Sequence, residues 1–534
     1  MRDTRTARRE RARPFGLVLA FATTLLLTAC GGGGGGGDAG AGGGTPPPEM
    51  LSLAPKATLT DADYRHFLQR THFGFSQTHY DALQQLGLPA YVDAMTSFAD
   101  TTQLEADARA TYLVDENDPD GNFPGTSDLA RWWLYMMMGN DNPFQENLAF
   151  HWHEHFATST SVLDGQNRHY FINHVNLWRH GGAGNLRTLL IDMARDPAML
   201  VWLDGINNVA SEPNENFARE FFELFCLGVD IEYTQTDIEE AARAFTGYRQ
   251  RFDSETGMRF IEFDPDRHDH TEKTVLGVVI PEQTPGDGEV DEYDQMVDIV
   301  LGTNEASTGV SRVGQWIAHS LLQYFCYENP PQSVVNELAN DLRDANWELK
   351  PVLMKLFQSE AFYSDQAKSG FVKGPVEHIL GFMRATNLVA VPASIDNRLN
   401  LMGHRPTQPP TVDGWPGGTQ WLSAQGMVDR ANLLNFVTEQ AESLQAGLNI
   451  FALDLLPAPD ADSAATVSAL AERLNVTLST EEETALVTYL DTERASNGTV
   501  SPDPFDPQGN SAEAERRVRG LLWILAQHPT YQTR

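Results

Sequence analysis

From about residue 57 onward, apolar residues recur at the three- and four-residue spacing of amphipathic helices, which predicts a mainly α-helical protein. The segment DADYRHFLQRTHFG (61–74) shows this pattern, and its helix is expected to stop at Gly74. Asn142 and Pro143 have the residue types that begin a helix, which would carry HWHEHF (151–156) at its far end. Further helices are predicted at about 311–327, 332–346, 349–359, 374–387, 426–444, 463–473, 480–494 and 511–527.

Two more helix starts are visible in the middle of the chain. Ser211 and Pro213 are expected to begin the helix of NENFAREFFELFCLG (214–228), which should end at its glycine. Thr236 and Glu239 match a capping box ahead of EEAARAF. Both segments are therefore predicted to be short helices that end in glycine.

Three stretches break the helical pattern. Residues 249–263 alternate polar and apolar around Ser-Glu-Thr-Gly, which predicts a β-hairpin. Residues 264–277 are predicted to form a polar loop, and the Pro- and Gly-rich segment 403–421 cannot be helical. Because no long Gly, Ser or Pro linker follows residue 56, residues 57–534 are expected to form one multi-helix globular unit with a small β-hairpin insertion.

The first 29 residues have the features of a bacterial export signal. A basic stretch with six arginines precedes the apolar run FGLVLAFATTLLLTA, which is too short to span a membrane. The box Leu27-Thr28-Ala29-Cys30 resembles a lipobox, in which the cysteine is lipidated and becomes the first mature residue. The alternative is a plain signal peptide with a chance cysteine. Residues 30–56 are rich in Gly and Pro, as expected of a flexible tether.

These features predict a lipoprotein that is held in the membrane by its N-terminal lipid. Gly31 rather than aspartate follows Cys30, which by analogy with enterobacterial sorting indicates the outer membrane, facing the periplasm or the cell surface. The formal net charge of −35 argues against nucleic acid and against anionic lipid headgroups as partners. Cys226 and Cys326 lie in the apolar stretches FFELFCLG and LLQYFCYE, which is typical of buried thiols, although a disulfide is permitted outside the cytoplasm.

The segment NENFARE supports two interpretations. As a surface helix, it would carry ion pairs between Arg219 and the glutamates four residues away, Glu215 and Glu223. As part of a site, Glu220 and Glu223 would lie one turn apart and could hold a metal or act as acid and base. Spacing alone favours the surface helix.

The histidines of HWHEHF raise the question of a metal. His151 and His155 have the spacing that lets two imidazoles on one helix face share zinc, but Trp152 stands where the zinc-protease motif HExxH has glutamate. His153 points about 200° around a regular helix from His155, so a shared metal would require the helix to end between them. Aromatic packing at a helix end is the alternative. A divalent metal stays an open hypothesis, with candidate ligands His153, His155, Glu220, Glu223 and His268.

A third polar group lies in the loop HDHTEK (268–273). His268, Asp269 and Lys273 combine base, acid and cation, a mixture that suits catalysis or an anionic ligand. The alternative is a solvated turn.

Together these segments resemble the bacterial "domain of unknown function 1800" family over about residues 58–440. The matching stretches, in the family's order, are LQRTHFGFS, WHEHFATS, GNLRTLLIDMARDPAMLVWLDG, PNENFAREFFELFCLGV, YTQTDIEEAARAFTGYR, HDHTEKTVLG, VKGPVEHILGFMRATN and PPTVDGWPGGTQWL, and LLWILAQHPTY is similar to its closing helix. His151 lies outside the family's WHxHF-like motif, which weakens the zinc pair. Cys226 stands where the family usually has a small hydroxyl residue.

The resemblance implies an exported, largely helical bacterial protein but supplies no reaction. By association, it points to envelope work beside an exported protein that resembles sulfatases and alkaline phosphatases. One hypothesis is a hydrolase or transferase that acts on envelope or extracellular polysaccharide. The other is a non-catalytic helical scaffold that docks a partner enzyme, in which the same residues form an internal network. The candidate catalytic residues are His153, His155, Arg219, Glu220, Glu223, His268, Asp269 and Lys273.

Overall fold

A computed structural model describes ten stretches of the chain, 51–113, 123–229, 231, 233–284, 291–368, 370–388, 390–392, 394–439, 450–494 and 499–534. The predicted signal peptide, Cys30 and residues 30–50 of the tether lie outside the described residues. The chain divides into two units. Of the described residues, the smaller unit contains 491–494 and 499–505, and the larger contains all the others.

The larger unit is mainly α-helical, as predicted. Its first half contains α1 (Asp61–Thr71), α2 (Gln77–Leu86), α3 (Leu88–Thr96), α4 (Thr102–Tyr112), α5 (Thr126–Gly139), α6 (Pro143–His155), α7 (His169–Gly181), α8 (Leu186–Ala194), α9 (Pro197–Trp202), α10 (Glu215–Glu220) and α11 (Gln235–Ala244). A π-helical segment, Phe221–Cys226, directly continues α10. Its second half contains α12 (Tyr293–Leu301), α13 (Arg312–Phe325), α14 (Gln332–Asp344), α15 (Leu349–Gln358), α16 (Asp365–Lys368), α17 (Pro375–Ala385), α18 (Ile395–Leu401), α19 (Ala424–Glu439), α20 (Ser463–Arg473), α21 (Thr480–Leu490) and α22 (Ser511–Leu525).

Three two-stranded antiparallel sheets accompany the described helices. Strands β1 (Tyr248–Phe252) and β2 (Arg259–Phe263) form the predicted hairpin, with Tyr248 opposite Phe263. Strands β3 (Lys273–Val275) and β4 (Val278–Ile280) form a hairpin that reaches into the predicted polar loop 264–277. Its two-residue turn, Leu276-Gly277, has positive φ at both positions, which suits the twist of a tight hairpin.

The smaller unit contains the strands β5 (Thr492–Arg494) and β6 (Val500–Pro502), which pair antiparallel. The helix predicted over 480–494 is therefore too long, because α21 ends at Leu490 and residues 492–494 are extended. Residues 403–417 are not helical, as predicted, but the last four residues of segment 403–421 lie in the 3₁₀ helix Gly418–Leu422.

Two helix starts differ from the prediction. The N-cap of α10 is Asn214, whose side chain accepts a hydrogen bond from the Asn216 N–H, and not Ser211 or Pro213. The capping box of α11 is Thr234 with Asp237, two residues before the predicted one. The sequence TQTDIE contains two overlapping capping patterns, and spacing alone does not choose between them.

Helices α6 and α17 are deeply buried. Every residue from 143 to 153 and every residue of α17 is buried. At the end of α6, Trp152 and Phe156 stack at 5.7 Å between ring centroids, and Phe156 stacks on Trp178 of α7 at 5.0 Å. This packing fixes the place where the HWHEHF segment leaves the core.

Cys226 and Cys326 are free and buried, in agreement with the predicted packing role. Within the part of the chain that is described, no helix has both the length and the apolar character needed to cross a membrane.

Candidate active site

The last turn of α6 divides the HWHEHF side chains between the core and a half-buried surface. The helix ends at His155, and the Phe156 N–H closes the last turn on the Trp152 carbonyl at 2.7 Å. His153 is fully buried, whereas Glu154 and His155 are half-buried. His153 and His155 therefore face different surroundings, as their angular separation on a helix requires.

His153 belongs to a buried chain of imidazoles. Its Nδ1 lies 3.3 Å from Nε2 of His174, whose Nδ1 lies 2.9 Å from the Asp196 carboxylate. Because Nδ1–H of His174 donates to Asp196, its Nε2 accepts hydrogen bonds from His153 and from the Trp178 indole, the latter at 3.1 Å. Burial and the neighbouring His174 hold the pKa of His153 well below its usual range. His153 is thus a neutral member of a buried internal network.

His155 connects α6 to two other elements. Its Nε2–H donates to the Phe225 carbonyl at 3.2 Å, and Ser320 on α13 donates to its Nδ1, also at 3.2 Å. Phe225 lies in the π-helical segment that continues the NENFARE helix, and such segments recur at functional sites. Burial lowers the pKa of His155 to about 4, so the ring is neutral at pH 7. His151 stacks on this ring at 6.3 Å between centroids.

The NENFARE helix carries the predicted ion pairs. Arg219 pairs with Glu215 at 2.9 Å and with Glu223 at 3.3 Å, and all three are partly exposed. Glu220 behaves differently, because no donor among the described residues pairs with its half-buried carboxyl group. Burial, together with the charges of Glu223 and Asp413, raises the pKa of Glu220. Asp413 belongs to the loop TVDGWPGG (411–418), so this loop lies beside the NENFARE helix.

The same loop closes on the end of α6. A Cβ atom added to Gly414 would lie 2.8 Å from the Glu154 carbonyl oxygen, and the residue has φ +85°. Both facts require glycine at this position. Loop 411–418 therefore lies between the end of α6, with Glu154, and the NENFARE helix, with Glu220.

Glu154 is the residue that the sequence interpretation missed. Its carboxyl group is half-buried, and no donor of the described residues pairs with it. Burial, and next the negative charge of Glu377, raise its pKa to about 7, while Arg534 acts in the opposite direction. The motif signal was present in the sequence, since Glu154 lies inside HWHEHF. Its raised pKa cannot be predicted from the neighbouring residues, because Glu377 is distant in the sequence.

Glu377 is held in place from two sides. Its Oε2 accepts a hydrogen bond from the Gly374 N–H at 2.9 Å, and its Oε1 forms an ion pair with Arg534. Arg534 in turn donates to the Tyr324 carbonyl at 3.0 Å. These two contacts fix the position of the Glu377 carboxyl group, whose charge raises the pKa of Glu154.

The loop residues His268, Asp269 and Lys273 form a separate network. Lys273 Nζ lies 2.9 Å from Oε2 of the fully buried Glu292, and His268 Nε2 lies 3.7 Å from its Oε1. His268 Nδ1 is 2.9 Å from the Thr246 carbonyl. Asp269 pairs with Arg243 of α11 at 2.8 Å. Of the three predicted polar groups, the end of α6 is linked by the His155–Phe225 hydrogen bond to the π-helical segment that continues the NENFARE helix.

The described side chains include no group of three or more His, Cys, Asp or Glu residues arranged to hold a metal ion. The chemistry available near loop 411–418 is that of carboxyl groups. Glu154 and Glu220 both have a raised pKa and no hydrogen-bond donor among the described residues. Glu154, whose pKa is about 7, can give and take a proton near neutral pH.

Comparison with known protein families gives a match over most of the chain. The model of a family described as "Protein of unknown function (DUF1800)" matches residues 66–533. This range includes Glu154, the NENFARE helix, loop 411–418 and Glu377, and it ends one residue before Arg534. No curated protein and no solved structure matches the chain.

Proposed function

The chain belongs to the DUF1800 family of proteins of unknown function, and we propose that it is an exported hydrolase or transferase that acts on envelope or extracellular polysaccharide. The observation that carries this proposal is the carboxyl group of Glu154. It is half-buried, has no hydrogen-bond donor among the described residues, and has its pKa raised to about 7. Ion-paired carboxylates lack this property, because a cation keeps them ionised.

Cleavage of a glycosidic bond requires such a group. A protonated carboxylic acid gives its proton to the leaving sugar oxygen, while a second carboxylate takes a proton from water or attacks the sugar carbon. At neutral pH, Glu154 is partly protonated and acts as the acid. Glu220, on the other side of loop 411–418, is the candidate for the second carboxyl group. Glu377 acts as a positioning residue that keeps the pKa of Glu154 high.

The proposed location is the outer membrane. Cys30 would carry the lipid, and residues 30–56 would hold the enzyme away from the bilayer. An exported protein that resembles sulfatases and alkaline phosphatases is the proposed partner. A polysaccharide with sulfate or phosphate groups would give both proteins a common substrate.

A specific observation favours the second candidate function, a non-catalytic scaffold that docks a partner enzyme. Two of the family's polar groups lie in buried networks, one between His153, His174 and Asp196 and one between Lys273 and the buried Glu292. Such networks fix the packing of helices without any reaction.

An assay of sugar release separates the two functions. Full-length protein is incubated with a panel of neutral and acidic polysaccharides, and new reducing ends are measured. Glu154→Gln, which keeps the shape of the side chain and removes its proton chemistry, is expected to lower the rate at least about 100-fold. Glu255→Gln, at an exposed hairpin turn, is the matched control and should retain the rate. Equal rates in the two variants would exclude the assigned acid, and binding of a partner without any sugar release would favour the scaffold.

A further inference from the structure

Four buried cations surround Glu377. Arg70 and Arg430 are fully buried, Lys373 is 2% exposed and Arg534 is 9% exposed. We call these four residues the cation cluster. Lysine and arginine are almost never buried to this extent unless an anion pairs with them.

The cation cluster is held together by direct contacts. The guanidinium groups of Arg70 and Arg534 lie 4.0 and 5.6 Å from the ring centroid of Phe371. Arg430 donates to the Lys373 carbonyl at 2.6 Å, and Lys373 Nζ lies 3.9 Å from the centroid of the Tyr531 ring. The positively charged groups are thus fixed by aromatic rings and backbone carbonyls.

Among the described residues, the cation cluster has fewer ion-pairing carboxylates than cations. Glu377 forms an ion pair with Arg534, and no carboxylate of the described residues lies within ion-pairing distance of Lys373, Arg70 or Arg430. Within the described part of the chain, four buried guanidinium nitrogens have no hydrogen-bond acceptor: Nε and Nη1 of Arg70, Nε of Arg430 and Nε of Arg534. Burial and the repulsion from Arg430 and Arg534 lower the pKa of Lys373 to about 7, although Glu377 opposes this.

We propose that the cation cluster binds the anionic group of the substrate, a carboxylate, sulfate or phosphate carried by an acidic polysaccharide. Guanidinium groups match the paired oxygens of these anions, and lysine adds a point charge. Phe371, which lies against Arg70 and Arg534, is half-buried, and the charge of Arg534 acts on Glu154. The anionic group of the sugar would therefore be held near the proposed acid. The assignment of this ligand to a substrate rests on the proposed function, whereas the anion site itself does not.

The first experiment measures anion binding to the full-length chain by calorimetry. The probes are inorganic sulfate, inorganic phosphate and glucuronate, each titrated at constant ionic strength in chloride. The Lys373→Met variant is expected to bind at least about tenfold more weakly, which corresponds to about 1.4 kcal/mol. Lys373→Arg should restore most of the affinity. Lys350→Met removes a partly exposed lysine that pairs with Asp93 at 2.8 Å, and it should bind like the unmodified chain.

The second experiment identifies the source of the anion. Dextran sulfate and polygalacturonate should bind more tightly than neutral dextran, and inorganic sulfate should compete with them. Equal affinity for the neutral polymer would overturn the substrate assignment. If the unmodified chain shows no saturable binding of any probe, or if Lys373→Met and Lys350→Met bind equally well, the anion site is refuted even if one variant folds poorly.

The two proposals fail separately. Glu154→Gln should still bind the inorganic anions, because it leaves all four cations in place. If that variant releases sugars normally while anion binding depends on Lys373, the assigned acid is wrong and the anion site stands. If it loses activity while Lys373→Met binds anions normally, the acid stands and the anion site is wrong.

Discussion

Replacing Glu154 by glutamine should make the stability of the protein less dependent on pH. The pKa of Glu154 is raised from its ordinary value of 4.5 to about 7 in the folded state, first by burial and then by the charge of Glu377. The folded state therefore binds this proton more tightly than the unfolded state does. Below pH 4.5 the group is protonated in both states, and its cost to folding disappears.

The size of the effect follows from the two pKa values. At about 1.4 kcal/mol for each pKa unit, ionisation of Glu154 costs the folded state up to about 3 kcal/mol at pH 8. Partial exposure to solvent makes this an upper bound. Glutamine has no charge to bury. The unfolding free energy of Glu154→Gln, relative to the unmodified chain, should therefore rise between pH 4.5 and pH 7 and be constant above about pH 8.

Urea unfolding, followed by circular dichroism from pH 4 to pH 8.5, measures this difference. Glu255→Gln, the same substitution at an exposed side chain, is the control. A flat difference for Glu154→Gln would show that the carboxyl group titrates at its ordinary pKa. In that case, Glu154 would be ionised at neutral pH and could not serve as the acid.

Three further predictions concern other parts of the chain. Lys273→Met should lower the unfolding free energy by about 3–5 kcal/mol, since it leaves Glu292 buried without its cation, and thermal unfolding measures the loss. Gly414→Ala should destabilise the loop by about 1–3 kcal/mol and reduce sugar release, because the new Cβ would lie 2.8 Å from the Glu154 carbonyl oxygen at φ +85°; an unchanged melting temperature would contradict this. Cys30→Ser should release the protein from the membrane fraction and alter its processing, and a protein that stays in the pellet with normal processing would contradict the lipid anchor.

Local patterns in the sequence are sufficient for the class of the fold and for most of its helices. Pro143 begins α6, Gly74 follows the end of α1, and the alternation in 249–263 predicts the β1–β2 hairpin. These features depend on the backbone preferences of single residues and on the periodic burial of side chains. Both can be read from residues that are close together in the sequence. The β3–β4 hairpin was missed because its strands have three residues each, too few for a periodic signal.

The residues that carry chemistry depended on the tertiary structure. Residue spacing predicts functional roles for the histidines of HWHEHF and for NENFARE. The motif HWHEHF also contains Glu154. Its raised pKa comes from burial and from Glu377, and Gly414 lies against its backbone, although these residues are distant in sequence. Desolvation and charge repulsion act through space, so no local pattern records them. The sequence by itself determined the helices and the motif, and only the packing of α6, α17 and loop 411–418 decided which of its side chains can hold a proton at neutral pH.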